Sequence, residues 1–377
     1  MDKERMDVRD ILPWVVLILL ALVKALTGGS WWPFIVVSSP FVVIKALLFW
    51  QWWRLEKNTD DLFSELEKHG RHNYIPKPEE MRAMREKADA ITEEINLHCP
   101  PQECLRFSVD EGRQPSPFDS KLGGTPYWDP SLPYPNDADG KPMAMVMQVC
   151  FDDCPHIEAL PSEGMLQFFI TTDEDRLTES YGMDFNDPTS QDYCRVVYHP
   201  SVNKDIDLDA LRQYPRCEEF ESSPVMGECA LNMEKVESCI NQSCNGFGKL
   251  FGQAVEYLYG DKVEKDEWPM DYFTRDLPEE HRHKVDDVVV VGDKMMFYGP
   301  TEQNFQMLGF PAFEQMEQRP VGCRQDTLLL QIPTVMKSDI ENYHTLWGDC
   351  GSARLFINAD DLSQQDFSQV YFDFQCY

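Results

Sequence analysis

The chain has 377 residues, long enough to bury a large core and to hold two domains, or one domain with accessory segments. Asp and Glu outnumber Lys and Arg by 65 to 34. This excess argues against nucleic acid as a partner, because a negative surface repels phosphates. It favours either an ordinary solvated surface or a basic protein partner.

Residues 1–57 predict a membrane anchor. Apolar segments span residues 11–26 and 31–53, and a turn at residues 27–30 separates them. The second segment has 23 residues, enough to cross the hydrocarbon core, whereas the first is short. We therefore expect a helical hairpin that contacts the lipid bilayer through residues 11–53, with a single crossing or a re-entrant pair as the alternatives.

The charges around this anchor predict its orientation. Lys and Arg lie before residue 11 and after residue 53, and the connecting turn has neither. Because positive flanks stay in the cytoplasm, both ends of the hairpin should face it. This places the protein in the inner cell membrane with a cytoplasmic soluble domain. Residues 1–57 hold seven Lys or Arg and five Asp or Glu, so a net charge of −33 falls on the rest of the chain.

Residues 58–104 predict a juxtamembrane linker followed by an amphipathic helix. The linker is highly charged and has little apolar surface. In the helix, apolar side chains recur at three- and four-residue steps, at Met81, Met84, Ala88, Ile91 and Ile95. Pro100 and Pro101 should end the helix near Cys99. Core packing is the expected role of its apolar face.

The pattern of residues 105–377 predicts short apolar strands separated by turns. The best strand candidates are 143–151, 165–171, 194–199, 285–291, 327–332, 354–357 and 370–374. Weaker helical patterns cover 206–214 and 249–259. Because long helices do not alternate with the strands, a parallel doubly wound sheet is disfavoured. We predict an α+β fold of mainly antiparallel sheets with peripheral helices.

A signature that occurs twice, about 185 residues apart, predicts an internally duplicated unit. Each copy has a glycine–proline turn, a glutamine between apolar residues, and a glycine six residues before an isoleucine. In the first copy these landmarks are Gly123, Gly124, Pro126, Gln148 and Gly164. In the second copy they are Gly309, Pro311, Gln331 and Gly351. Gly123 and Gly309 are expected at equivalent turns, where glycine permits a positive φ or a close backbone approach.

The glutamines of the two copies have two interpretations. Gln148 and Gln331 each interrupt an apolar strand, and a buried amide needs partners for its donors and its acceptor. In the first interpretation each amide bonds backbone groups at a turn or between the copies. In the second, the two amides line a crevice between the two halves and bind a ligand.

Standard catalytic motifs are missing from the sequence, which contains no G-x-S-x-G, H-E-x-x-H or G-x4-G-K-[ST]. The compact turn near the C-terminus comprises Trp347, Gly348, Asp349, Cys350 and Gly351. Asp349 beside His344 is a candidate acid or base, and Cys350 a candidate nucleophile. More often, an Asp in such a turn bonds its own backbone.

The cysteines predict neither a disulfide framework nor a metal site. Cys150, Cys154 and His156 form a C-x3-C-x-H cluster, but structural zinc sites normally use tighter C-x2-C pairs. Reduced, packed thiols are the expected state. We predict no metal and no cofactor.

Three groups of segments carry a resemblance to a known family. They are 120–128 with 134–135 and 140–142; 164–170 with 181–185 and 195–198; and 308–311, 328–332, 347–351 and 366–370. The middle group includes Gln167 and Asp184. Together the segments resemble the YwqG-like family, a bacterial domain of unknown function, over residues 105–377. The resemblance implies an α+β fold without an assigned active site. Some members lie near genes for secreted toxins, which implies an immunity or interaction role.

These observations lead to three expectations for function. The first is a membrane-tethered cytoplasmic module that binds a protein through its acidic surface, as an immunity-type factor against a basic toxin domain. The second is an enzyme whose cleft between the two repeats holds Asp349, His344 and a glutamine. The third is a structural accessory of a membrane complex. Convergent polar groups in one enclosed pocket would favour the enzyme, and a flat acidic face would favour the binding module.

Overall fold

The computed structural model describes residues 78–264, 267, 269–275, 305–339 and 342–377. The predicted membrane segments 11–26 and 31–53, the linker up to residue 77, and the predicted strand 285–291 lie outside these residues. Within the described residues, no helix combines the length and the apolar character needed to cross a bilayer.

The described residues form twelve strands and six α-helices, numbered in chain order. The strands are β1 (Gln102–Asp110), β2 (Lys121–Leu122), β3 (Ala144–Cys150), β4 (Met165–Ile170), β5 (Cys194–His199), β6 (Cys229–Ser238), β7 (Gln306–Met307), β8 (Thr327–Pro333), β9 (Val335–Met336), β10 (Tyr343–Thr345), β11 (Ser352–Ile357) and β12 (Tyr371–Gln375). The helices are α1 (Pro78–His98), α2 (Glu174–Ser180), α3 (Leu208–Leu211), α4 (Phe247–Tyr259), α5 (Pro269–Thr274) and α6 (Ala359–Ser363).

Ten of these strands form one sheet in the order β12-β11-β8-β7-β1-β6-β2-β3-β4-β5. All pairings between its strands are antiparallel, as the sequence predicts, and the fold class is α+β. The long strands β1 and β6 form its centre, where Ser108 pairs with Asn232. We call β2–β5 the first half-sheet, and β7, β8, β11 and β12 the second half-sheet.

The two half-sheets have the same strand order. Reading outward from the central pair, each begins with a strand of two residues, followed by strands of seven and six residues and then an edge strand. A short helix follows the third strand on each side, α2 after β4 and α6 after β11. The central strands are exchanged, because β6 pairs with β2 and β1 pairs with β7.

The sheet curls around a core that both half-sheets share. Leu166, Phe168 and Ile170 of β4 belong to the same buried cluster as Leu355 of β11 and Phe372 of β12. The rings of Phe168 and Phe372 lie 5.3 Å apart, although β12 is one edge of the sheet and β4 is next to the other edge. We call the face toward this cluster the inner face.

The outer face of each half-sheet is covered by the segment that follows its first strand. On the first half-sheet, Trp128 packs with Phe169 in one buried cluster, and Tyr127 packs with Met165 in another. On the second, Phe313 packs with Phe356. Polar side chains on the outer face are therefore shut off from water by these covering segments.

Most predicted elements are confirmed. The strand candidates within the described residues correspond to β3, β4, β5, β8, β11 and β12. Helix α1 buries Met84, Ala88, Ile91 and Ile95, and α4 covers the predicted 249–259. The helix predicted at 206–214 is wrong in extent, because only Leu208–Leu211 is helical and Pro215 disfavours continuation.

Candidate functional site

On the first half-sheet, two glutamines hold the covering segment by its backbone. Gln148 lies in β3 and pairs with Gln167 in β4. The Oε1 of Gln148 accepts from the backbone N–H of Tyr127 at 3.1 Å, and the Nε2 of Gln167 donates to the carbonyl of Tyr127 at 2.8 Å. The Nε2 of Gln148 also donates to the carbonyls of Pro117 and Asp119, both at 2.8 Å. The Oε1 of Gln148 also accepts from the Nε2 of Gln167 at 3.1 Å, so its amide is fully engaged.

His199 extends this network at the end of β5. Its Nε2 lies 2.9 Å from the Oε1 of Gln167 and must be the donor, since the amide nitrogen of Gln167 already donates to Tyr127. The ring meets Trp128 edge-on at 4.9 Å. Burial lowers the pKa of His199 to about 4, so the ring is neutral at pH 7. Only 3% of this residue is exposed, which argues against a role as a base for an external substrate.

The second half-sheet has the same arrangement at the same positions. Gln331 lies in β8 and pairs with Arg354 in β11. The Oε1 of Gln331 accepts from the N–H of Ala312 at 3.0 Å, and the Nη1 of Arg354 donates to the carbonyl of Ala312 at 2.8 Å. Ala312 therefore corresponds to Tyr127 of the first half-sheet.

Arg354 is also the centre of a buried ionic cluster. Its Nε donates to Asp373 at 2.7 Å and its Nη1 to Glu314 at 2.9 Å. The side chains of Arg354 and Glu314 are fully buried, and that of Asp373 is 9% exposed. The Nη2 of Arg354 and the Nε2 of Gln331 are buried without a partner among the described residues. The cluster is shut off from water and offers no access to a substrate.

Gln148 and Gln331 do not share a crevice between the halves. Four strands, β7, β1, β6 and β2, lie between β8 and β3 in the sheet. Each glutamine binds the covering segment of its own half-sheet on the outer face. The geometry therefore gives no support to the ligand-binding interpretation.

The glycine–proline turns also correspond, with a shift of one residue from the sequence comparison. Gly123 and Gly124 have φ of 57° and 72°, and Leu308 and Gly309 have 62° and 72°. Gly309 therefore matches Gly124, and Leu308 occupies the place of Gly123. A Cβ on Gly124 would lie 2.1 Å from a carboxylate oxygen of Glu228.

The residues after these turns complete the match. Pro126 and Pro311 follow Gly124 and Gly309 at the same distance along the chain. Lys121 donates to the carbonyl of Thr125, four residues later. In the second half-sheet Gln306 donates to the carbonyl of Phe310, also four residues later.

Two further glycines of the repeated signature lie where the edge strand of each half-sheet comes close to the backbone of its neighbour. Gly164 precedes β4, and a Cβ there would lie 2.3 Å from the carbonyl oxygen of His199 in β5. Gly351 precedes β11, and a Cβ there would lie 1.9 Å from the carbonyl oxygen of Gln375 in β12. Both positions thus need glycine for packing. Asp184 accepts from the N–H of Asn186 in an exposed loop and holds a turn.

The candidate catalytic residues are not assembled into one site. The Nε2 of His344 lies 2.8 Å from Glu111, which also accepts from the hydroxyl and the N–H of Ser338. These bonds, the hydroxyl bond above all, hold the pKa of Glu111 at about 2. Asp349 and Cys350 lie on an exposed turn, where the carbonyl of Asp349 accepts from the last residue, Tyr377.

The Trp347 end of this turn is a packing element. Trp347 is buried and meets the ring of Tyr181 at 4.9 Å and that of Phe374 at 6.2 Å. Gly348 has φ of 54°, and its N–H donates to the hydroxyl of Tyr181 at 2.7 Å. The turn therefore joins the two halves of the molecule.

The cysteine cluster of the first half-sheet has the environment of packed thiols. Cys150 is buried, and the Sγ of Cys154 donates to its carbonyl at 3.1 Å. Burial raises the pKa of Cys150, and it raises that of Cys154 to about 12, so both thiols are protonated at pH 7. His156 is exposed. Across the described residues, no three Cys, His, Asp or Glu side chains have a metal-binding arrangement.

The sequence missed the polar network of the outer face except for its glutamines. Arg354 was predicted only as part of a strand, and Glu314, Asp373 and His199 were not predicted as interacting residues. The available signal was Gln167, the one polar residue of its apolar strand, which is in register with Gln148.

Comparison with known proteins identifies a family but supplies no activity. A search of curated proteins finds no match to the chain. A family sequence profile matches residues 120–376, a range that includes both half-sheets and both covering segments. The chain therefore belongs to the family described as Domain of unknown function (DUF1963).

Proposed function

We propose that this protein is a membrane-tethered cytoplasmic module that binds a basic protein through its acidic surface. The specific role we propose is that of an immunity-type factor against a basic toxin domain. The surface charge carries the proposal. The outer-face polar network, which is occupied by the protein's own backbone, supports binding over catalysis.

The acidic surplus lies at the surface, because the buried ion pairs remove cations and carboxylates in equal number. Lys121 and Arg354 have fully buried side chains, and that of Arg319 is 10% exposed. Each is paired with a carboxylate. Glu314, Glu317 and Asp373 are buried with these cations, so the surplus of carboxylates that the composition gives remains on the surface.

Two exposed acidic segments illustrate the surplus. Asp152 and Asp153 lie on the turn after β3, and Asp205 and Asp207 lie before α3. All four are exposed. Fields of this kind speed the encounter with a cationic partner, and salt weakens them because screening shortens to about 8 Å at physiological ionic strength.

The tether rests on the sequence of residues 11–53. A 23-residue apolar segment, a shorter one before it and Lys or Arg at both flanks support a hairpin whose two ends face the cytoplasm. In this proposal the anchor holds the acidic domain at the inner surface of the membrane.

We further propose that the domain is an internal duplication of the YwqG-like type. The equal strand order supports this, as do the matched pairs Tyr127 with Ala312 and Gln148 with Gln331. A two-fold axis through the Ser108–Asn232 pair would relate β1 to β6 and each half-sheet to the other. Each repeat would then donate its leading strand to the other repeat.

A pull-down with the full chain as bait tests the binding function. We expect a basic protein to be retained at low salt and lost as salt rises. Changing Asp152, Asp153, Asp205 and Asp207 to Asn should weaken retention several-fold, and Asn at position 207 can still cap α3.

A matched variant with Lys204→Gln and Arg212→Gln makes the same surface more negative and should bind at least as well. The proposal would be contradicted if retention of the basic protein changed neither with salt nor with these substitutions. Turnover of an ester, phosphate or peptide substrate that is lost in Asp349→Asn would contradict the binding module and support the enzyme.

A further inference from the structure

Strand β5 is an edge of the ten-stranded sheet, and its backbone groups alternate between the two sides. Arg195 and Val197 pair with Phe169 and Gln167 of β4, so their neighbours in β5 direct N–H and C=O away from the sheet. The N–H of Val196 confirms this direction, because it donates to the Oε1 of Gln191 outside the sheet at 3.1 Å.

Several outward groups of β5 have no partner within the part of the chain that the structure describes. Among the described residues, nothing bonds the carbonyl of Val196 or the N–H and carbonyl of Tyr198. Unpaired groups in a row on an edge strand are a template for another strand. The other edge differs, since the N–H of Phe372 in β12 donates to the carbonyl of Pro188 at 2.8 Å.

A cavity of about 440 Å³ lies beside the open groups. Val196 and Tyr198 line one side, and Phe367 and Ser368, from the segment before β12, line the other. The amide of Gln191 bridges the gap, because its Nε2 donates to the carbonyl of Phe367 at 2.6 Å while its Oε1 accepts from Val196. The rings of Tyr198 and Phe367 meet across the gap at 5.4 Å, so side chains of an added strand would enter the cavity beside this contact.

The surroundings of this gap favour a cationic occupant. Asp192 and Asp366 are exposed and lie within two residues of lining residues, and Asp184 and Asp187 are exposed in the loop that leads to them. The same loop exposes 71% of Phe185, an aromatic side chain of the kind that anchors protein interfaces. Arg195 is a cation of the lining, and its Nη2 donates to the carbonyl of Gln191.

We propose that β5 binds an extended, basic segment of the partner protein as an added strand. Backbone bonds to the carbonyl of Val196 and to the N–H and carbonyl of Tyr198 would give affinity. The gap would take alternate side chains, and the carboxylates would select Lys or Arg. This inference rests on the proposed function, whose partner is basic, and it specifies how that partner is held.

Amide hydrogen exchange on the full chain tests the site directly. The probe is a synthetic octapeptide of alternating Lys and Val, compared with the same peptide N-methylated at alternate residues. In the free protein we expect the Tyr198 amide to exchange much faster than those of Arg195 and Val197, which face β4. The unmethylated peptide should slow Tyr198 at least tenfold and leave the other two unchanged.

Two substitutions isolate the backbone group. Tyr198→Pro removes the outward N–H, which proline can do on an edge strand without breaking the pairing to β4. Tyr198→Ala is the matched control, since it loses the same ring. We expect Tyr198→Pro to bind the peptide at least tenfold more weakly than Tyr198→Ala.

The outcomes separate this inference from the proposed function. A slow Tyr198 amide in the free chain would mean that the protein covers its own edge, and it would overturn the inference. Equal binding of both peptides, or of both variants, would also overturn it, while salt-sensitive binding would leave the acidic binding function standing. If no cationic peptide or protein bound, both this inference and the proposed function would be contradicted.

Discussion

Replacing Gln148 with leucine should destabilise the protein far more than the same change at Gln331. Leucine has a similar size but no hydrogen-bonding groups, so each substitution removes the bonds of one amide. Gln148 bonds the N–H of Tyr127, two carbonyls and the amide nitrogen of Gln167. Gln331 bonds only the N–H of Ala312, and its Nε2 has no partner among the described residues.

The bond inventory sets the size of the difference. An unpaired buried polar group costs about 1–3 kcal/mol. Gln148→Leu leaves the Tyr127 N–H without its acceptor. It also leaves two part-buried carbonyls that water can hydrogen-bond only in part. Together these effects should lower the free energy of unfolding by about 2–5 kcal/mol. Gln331→Leu loses one bond but also removes an unpaired donor of similar cost, so its net effect should be about 0–1 kcal/mol.

Urea titration of both variants, followed by circular dichroism, measures these free energies of unfolding. Thermal melting offers a second readout, at about 2–4 °C per kcal/mol for a domain of this size. The reasoning fails if Gln331→Leu costs as much as Gln148→Leu. It also fails if neither changes stability, because the covering segments would then be held by their apolar contacts alone.

Two more outcomes follow from the buried charges. Arg354→Met leaves Glu314 and Asp373 buried without a cation and should cost about 3–5 kcal/mol, whereas adding Glu314→Gln and Asp373→Asn should restore at least half of the loss in the same titration; no restoration would mean that uncompensated charge is not the cause. His199 has a folded pKa of about 4, below its unfolded value, so the unfolded chain binds the proton first and stability should fall as pH drops from about 6.5 to 4, by about 3 kcal/mol. His199→Gln should flatten this slope, and an NMR titration that places the His199 pKa near 6.5 would contradict the assignment.

The strands with continuous apolar residues were predictable, and the central pair was not. β3, β4 and β8 are buried on both faces, so their residues form apolar runs that only a glutamine interrupts. β6 is buried at its start, but the part that contains Glu234 and Lys235 is largely exposed and lacks the alternation that marks a strand. Its position comes from pairing with β1 over its full length.

The candidate site was predictable only in part, because register decides which polar groups meet. The two glutamines are visible in the sequence as interruptions of apolar strands. Arg354, which pairs with Gln331, could not be recognised as part of the site from the sequence. Its sequence context does not distinguish it from a surface arginine, and only the pairing of β8 with β11 brings it to Gln331. Similarly, His344 lies five residues from Asp349 in the chain, but its partner is Glu111, 233 residues away in sequence.

The exchange of the leading strands has a consequence for the nascent chain. β1 is synthesised early, and its neighbour β7 follows 200 residues later, as Arg106 and Gln306 show. At a synthesis rate of about 5–20 residues per second, that side of β1 stays unpaired for about 10–40 s. β6 can pair with β1 and with β2 during this interval, but the other side of β1 remains a bare strand edge, and such edges associate with one another. Ribosomes that translate this message close together would therefore carry neighbouring chains with matching open edges, and slower elongation before residue 306 should increase aggregation rather than improve folding.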